Sequence, residues 1–142
     1  MERRKVALVT GASRGIGLAV ATQLGLDGFR IAAVATREEE NYPEAGKRLR
    51  EAGVDYRWFA GNIGSGEDRK RIVAQVVDAF GRIDVLVNNA GISQKVTVAD
   101  MTLADMRKIF EVNMFGLFLC TQKCMKVMRD QKYGRIVNLS SV

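Results

Sequence analysis

Val9-Thr10-Gly11-Ala12-Ser13-Arg14-Gly15-Ile16-Gly17 decides the fold of this 142-residue chain. The run lies where an apolar strand, Val6 to Thr10, turns sharply into a helix from about Gly15 to Asp27, with Ile16, Val20 and Leu24 at helical spacing. A backbone can approach a pyrophosphate closely only where no Cβ intervenes. A helix N-terminus placed there offers unpaired N–H groups and about half a positive charge. The spacing is G-x-x-x-G-x-G rather than the commoner dinucleotide fingerprint G-x-G-x-x-G, so the surroundings of the turn have to carry the reading.

Outward from the turn, strand and helix signals alternate. Gly28 breaks the first helix, and Ile31 to Ala35 is a continuous apolar run, as expected of a parallel strand buried on both faces. Glu38, Glu39 and Glu40 lead to Pro43, which suits the first turn of a short helix ending near Gly53. Val54 to Ala60 reads as the third strand. Ser65 and Asp68 match a capping pair, followed by an apolar helix face of Ile72, Val73, Val76, Val77 and Phe80. Ile83 to Val87 reads as the fourth strand. Thr102 and Asp105 form a second capping pair, opening a long helix with Met106, Ile109, Phe110, Asn113 and Leu117 on or near one stripe. Gly134 closes that region, and Arg135 to Leu139 is the fifth strand. Five strands joined by helical crossovers predict one α/β domain over residues 1–142, a doubly wound parallel sheet with helices on both faces. Ligands of such sheets bind beyond the carboxyl ends of the strands, where strand order reverses. The glycine turn, Thr36 with Arg37, Asn62 with Ile63, Asn88 to Gly91, and Ser140 with Ser141 all follow strands and converge on that edge.

Composition narrows the function. Hydrophobic residues make up 47% and charged residues 27%, which describes a compact soluble chain rather than a disordered one. No apolar run approaches the roughly 20 residues of a membrane span. Glu2, Arg3, Arg4 and Lys5 lead straight into a strand rather than a signal-peptide core, so a cytoplasmic location is expected. Histidine is absent, which excludes His-dependent triads and most catalytic zinc sites. Cys120 and Cys124 lie four apart among Leu117, Leu119 and Met125, suiting core packing rather than a redox or zinc motif; no metal site is expected. The net charge of +6 is spread along the chain rather than clustered with aromatics, so a multiply anionic small ligand accounts for it. A nucleic-acid binder would leave the glycine spacing unexplained.

With those motifs in order, the chain resembles the short-chain dehydrogenase/reductase family. Thr10-Gly-Ala-Ser-Arg-Gly-Ile-Gly17, Asn88-Asn-Ala-Gly91, Asn113 in a helix and the G-R-I-V-N-L-S-S-V run at 134–142 carry the likeness over nearly the whole sequence. Within the family it is most similar to 3-oxoacyl-acyl-carrier-protein reductases and acetoacetyl-CoA reductases, which share the G-x-S-R-G-I-G turn and an Asn where many relatives place Asp, here Asn62. The resemblance implies a Rossmann-like sheet that continues for two more strands than this chain supplies. It also implies reduction of a ketone on a small-molecule or acyl thioester substrate, and a homo-oligomer, tetramer or dimer, with interfaces built partly from the long fourth helix. No nucleic-acid or membrane partner is expected.

Expected cofactor contacts are Gly11, Ser13, Arg14, Gly15, Ile16 and Gly17 in the turn, Thr36, Arg37, Asn62 and Ile63 after the next two strands, and Asn89, Ala90 and Gly91 after the fourth. An acid at the end of the second strand would bond a ribose 2′-hydroxyl and repel a 2′-phosphate. Thr36 stands there instead, Arg37 follows it, and Arg14 brings a second guanidinium, so NADP(H) is expected over NAD(H). The other reading leaves both arginines as solvated surface residues, and Glu38 to Glu40 could pair with Arg37. Asn88 is expected to tie neighbouring strands together.

Two residues carry the chemistry the resemblance implies. Ser141 matches the family's carbonyl-orienting serine, and no histidine stands by to make it a nucleophile. Asn113 matches an Asn at a helix irregularity that helps hold a water in a proton relay to the catalytic lysine, with Gly116 consistent with that irregularity. A core amide satisfied by backbone is the alternative. The family's Tyr-x-x-x-Lys has no counterpart: Tyr42, Tyr56 and Tyr133 lack a Lys four residues on. We therefore expect the N-terminal part of a longer reductase of about 250 residues, against the alternative of a noncatalytic nucleotide-binding module. Ser93 to Asp100 is expected to form one wall of the substrate pocket.

Overall fold

The computed structural model describes residues 3–141. Five parallel strands, β1 (Val6–Thr10), β2 (Arg30–Ala35), β3 (Tyr56–Ala60), β4 (Val85–Asn88) and β5 (Arg135–Asn138), form one sheet in the order β3-β2-β1-β4-β5. The chain leaves β1 toward one edge, then crosses back to place β4 on its other side. The reversal point lies between β1 and β4 and opens a crevice beyond their carboxyl ends.

Side chains alternate along each strand, and the two faces build separate cores. Val6, Leu8, Ala32, Val34 and Leu86 pack against Ile72, Val76, Cys120, Cys124 and Met128 from helices α3 (Gly66–Phe80) and α5 (Leu117–Gln131). Ala7, Val9, Ile31, Ala33 and Val87 pack on the opposite face against Leu18, Ala21, Ala45 and Leu49 from α1 (Gly15–Leu26) and α2 (Pro43–Glu51). The doubly wound Rossmann-like arrangement follows from that two-sided burial.

Several boundaries differ from the sequence reading for identifiable reasons. β3 starts two residues late because the Val54 N–H is taken by the carbonyl of Leu49 at the end of α2 (3.1 Å). Ile83 stays out of β4 because the Gln131 carboxamide occupies both its N–H (2.9 Å) and its carbonyl (2.8 Å). In α1 the fully buried positions are Gly17, Leu18, Ala21 and Thr22; of the expected stripe, Val20 and Leu24 pack half-buried against that core while Ile16 stands 65% exposed. The helix starts in close contact with the turn that precedes it, where only a glycine fits at position 17.

The long fourth helix is three consecutive pieces: α4 (Leu103–Phe110), a π segment (Glu111–Gly116) and α5. Its anticipated apolar stripe does not enter the core. Met106 and Phe110 are exposed, as are Leu103, Met114, Phe115 and Phe118, and the core takes Cys120, Cys124 and Met128 instead. Both cysteines are free and fully buried. Hydrogen bonding to Cys120, reinforced by burial, pushes the Cys124 thiol well above its ordinary range, which suits packing rather than chemistry.

Candidate functional site

Thr10 is the hub from which the site is built. Its buried hydroxyl accepts the N–H groups of Asn89 and Ala90, both at 3.0 Å, and donates to the Val87 carbonyl at 3.3 Å. The side-chain amide of Asn89 reaches back to the carbonyls of Thr10 (3.1 Å) and Gly11 (3.2 Å). One hydroxyl and one carboxamide thus lock the loops after β1 and β4 together. Asn88, buried beside them, donates to Thr121 Oγ1 and to Asn138 Oδ1, both at 2.9 Å, tying β4 to α5 and β5.

The glycines divide the work in this turn. A Cβ on Gly17 would collide with the Gly11 carbonyl and the Asn89 amide, so this residue lets α1 close onto the loop. Gly15 has a positive φ of 54° and nothing within 4 Å of where a Cβ would stand, so the backbone there is bare toward the crevice. Arg14 precedes α1 in extended conformation without a capping side chain, and no acid occupies the first turn. The first N–H to close onto a preceding carbonyl is that of Leu18, on Arg14 (3.2 Å). The Ala12 N–H is taken by the Val34 carbonyl (3.0 Å), which leaves the N–H groups of Gly15, Ile16 and Gly17 at the helix start to meet an anion.

These elements enclose a cleft of about 510 Å³. Every expected cofactor contact except Gly17 lines it: Gly11, Ser13, Arg14, Gly15, Ile16, Thr36, Arg37, Asn62, Ile63, Asn89, Ala90 and Gly91. Gly17 lies beneath the lining as a packing residue. Sequence reading missed Tyr42, Ile92 and Val112, which line the cleft together with Val34, Ala35 and Gly61, and the role of Thr10. A tyrosine in an otherwise polar loop and a hydroxyl at a strand end were the available signals.

No acid at the end of β2 faces the cleft, and Glu39 is drawn away from Arg37 to Arg50 and Tyr56. Arg14 and Arg37 make no ion pair among the described residues. Asn62 is set by two local bonds: its N–H donates to Asp68 (2.8 Å) and its Oδ1 accepts from the Gly64 N–H (2.8 Å). The Arg71 guanidinium, followed by that Asn62 N–H, holds the Asp68 carboxyl below the usual carboxylate range.

Asn113 sits in the π segment, where its carboxamide closes a reciprocal pair with Ile92, accepting the N–H and donating to the carbonyl, both at 2.8 Å. The side chain is therefore satisfied by backbone, and it anchors the far wall of the cleft to the helix. Gly116 ends the segment against Ile63, leaving no room for a Cβ. Ser140 and Ser141 follow β5 at the same edge of the sheet, exposed and outside the cleft lining.

The tyrosines lie elsewhere. Tyr133 meets Lys5 and Arg135 near the opposite end of the sheet, and Tyr56 pairs with Glu39. Burial, then the hydrogen bond to Glu39, raises the Tyr56 phenol, contrary to what a proton donor needs. Among the described residues no group of three or more His, Cys, Asp or Glu is placed to hold a metal ion. None of the described helices is long and apolar enough to cross a membrane.

The model of the short chain dehydrogenase family matches residues 5–142. This chain belongs to that family. It is 37% identical over all 142 residues to the 3-oxoacyl-acyl-carrier-protein reductase FabG of Staphylococcus aureus, of which it covers 58%. It is also 37% identical to the acetoacetyl-CoA reductase of Cupriavidus necator, covering 56% of that protein. Among solved structures, a metagenomic short-chain oxidoreductase in complex with NADP superposes with a TM-score of 0.89 at 33% identity, over 97% of this chain and 62% of that one. The F189W actinorhodin polyketide ketoreductase with NADPH gives 0.90 at 39% identity, over 97% and 53%. The family member described here thus spans somewhat over half the length of its curated relatives.

Proposed function

We propose that these residues form the cofactor-binding part of an NADP(H)-dependent oxidoreductase that reduces a ketone, of the 3-oxoacyl thioester class, to an alcohol. The observation that carries the reading is the bare Gly15 backbone and uncapped α1 terminus facing a cleft whose β2 corner holds Thr36 and Arg37 in place of an acid. The N–H groups of the turn bind the diphosphate, and Arg14 and Arg37 attract the 2′-phosphate. Asn89, Ala90 and Gly91 bring main chain alongside the nucleotide. NADPH, when bound, supplies a hydride for the carbonyl carbon. Ser141 orients that carbonyl by donating a hydrogen bond to its oxygen, and Asn113 keeps the neighbouring wall and π segment in register. The relatives with NADP and NADPH support the cofactor, and the two curated reductases support the substrate class.

Calorimetric titration of the 142-residue chain with NADPH tests the reading, with acetoacetyl-CoA added afterwards. Binding without loss of NADPH absorbance is expected, because the sequence holds no Tyr-x-x-x-Lys to deliver the proton. Absence of binding would remove the cofactor assignment; turnover would overturn the catalytic one. The exposed Phe110, Met114 and Phe118 support assembly into a homo-oligomer through the α4–α5 face. Sedimentation velocity should then show a smaller species for Phe118→Glu than for the parent chain.

A further inference from the structure

Two aromatic residues outside the phosphate turn hold the corner where dinucleotides differ. The Trp58 indole N–H donates to the Arg37 carbonyl at 2.9 Å, and the Tyr42 hydroxyl is bonded to Thr36 Oγ1 at 2.8 Å. Their rings pack together with centroids 5.7 Å apart, so the two bonds come from one aromatic unit rather than two independent side chains. Trp58 is placed by β3, opposite Ala33 of β2, which feeds the chain into Thr36 and Arg37.

We propose that the Tyr42–Trp58 pair sets the preference for a 2′-phosphorylated dinucleotide by fixing the Arg37 peptide and the Thr36 hydroxyl; this rests on the cofactor reading above. Arg37 is a long exposed side chain, and its grip on a phosphate costs less entropy when the peptide that carries it is already immobile. In the hydroxyl pair, one proton is spent between Thr36 and Tyr42, and the other is free to donate to a phosphate oxygen. Of the nearby acids, Glu39 is engaged by Arg50 and by the Tyr56 hydroxyl, and neither Glu38 nor Glu40 lines the cleft. Trp58 does not itself line the cleft, so it acts on specificity through Arg37 as a positioning residue.

The test compares NADPH and NADH affinities by calorimetry in the parent chain, Trp58→Phe and Tyr42→Phe. Tyr42→Phe removes only the hydroxyl, whereas Trp58→Phe keeps a ring in the stack but loses the indole N–H together with part of the ring system. Trp58→Phe is expected to weaken NADPH about 3- to 10-fold, the span of one hydrogen bond, and to leave NADH affinity in place. Tyr42→Phe should shift the same ratio. Equal weakening of both nucleotides, or an unchanged ratio in both variants, overturns the proposal by reducing the pair to a packing element. A parent chain that binds the two nucleotides alike also overturns it while sparing the dinucleotide site. A parent chain that binds neither refutes the cofactor reading itself. Should Trp58→Phe fail to fold, Tyr42→Phe carries the test alone; and because Trp58 is the sole tryptophan, its emission reports the corner directly in that variant.

Discussion

Gly15 and Gly17 lie two residues apart and fail differently when given a side chain. Gly17→Ala drives a methyl group into the Gly11 carbonyl and the Asn89 amide, so it should cost about 1–3 kcal/mol of stability and be seen in the thermal melt. Gly15→Ala has open space but a left-handed backbone, and should cost only about 1 kcal/mol while its methyl obstructs the approach of phosphate. Its melt should move little and its NADPH affinity should fall sharply. Asp68 provides a pH signature. Its carboxyl is held low in the folded chain, so its contribution is complete above the unfolded value near pH 3.9 and disappears as acid carries it through the lower folded value. Asp68→Asn should flatten the acid limb of stability below about pH 5, measured by melts in increasingly acid buffer. The positions of the turn residues were legible in the sequence because glycine spacing encodes backbone shape. The Asn113–Ile92 pair was not, since the residues are far apart in sequence and nothing local announces which backbone will answer a buried amide.

At the scale of elements, the two capping pairs that look alike in sequence differ in the folded chain. Thr102 and Asp105 bond reciprocally, whereas Ser65 caps Asp68 in one direction only (3.3 Å), the Asp68 carboxylate being committed to Asn62 and Arg71. Ser65→Ala should nonetheless cost about 1 kcal/mol of global stability, because α3 packs its whole apolar face into the core. Thr102→Ala should instead lose hydrogen-exchange protection within 103–110 while the melting temperature barely moves, since α4 buries none of its residues. The central strands β1, β2 and β4 were readable because both faces are apolar, and α3 because its period is clean. The stripe on α4 was readable as periodicity, but its exposure in the folded chain was not: a pattern says that a face seeks an apolar partner, not that the partner lies within the same chain.

For the molecule as a whole, the sheet is a partition. Ile31 belongs to the layer under α1 and α2, and Ile72 to the layer under α3 and α5, with no side chain common to both. Ile31→Val and Ile72→Val should each cost about 0.5–1.5 kcal/mol. In the double variant the costs should sum to within about 0.5 kcal/mol, measured by denaturant unfolding. A coupling energy well beyond that would mean the strands transmit strain from one face to the other. Independent bookkeeping of this sort leaves the crevice between β1 and β4 supported by two foundations that can erode separately. Sequence drift beneath one face of the sheet then need not be answered by compensating change beneath the other, and divergent descendants can retain the same crevice.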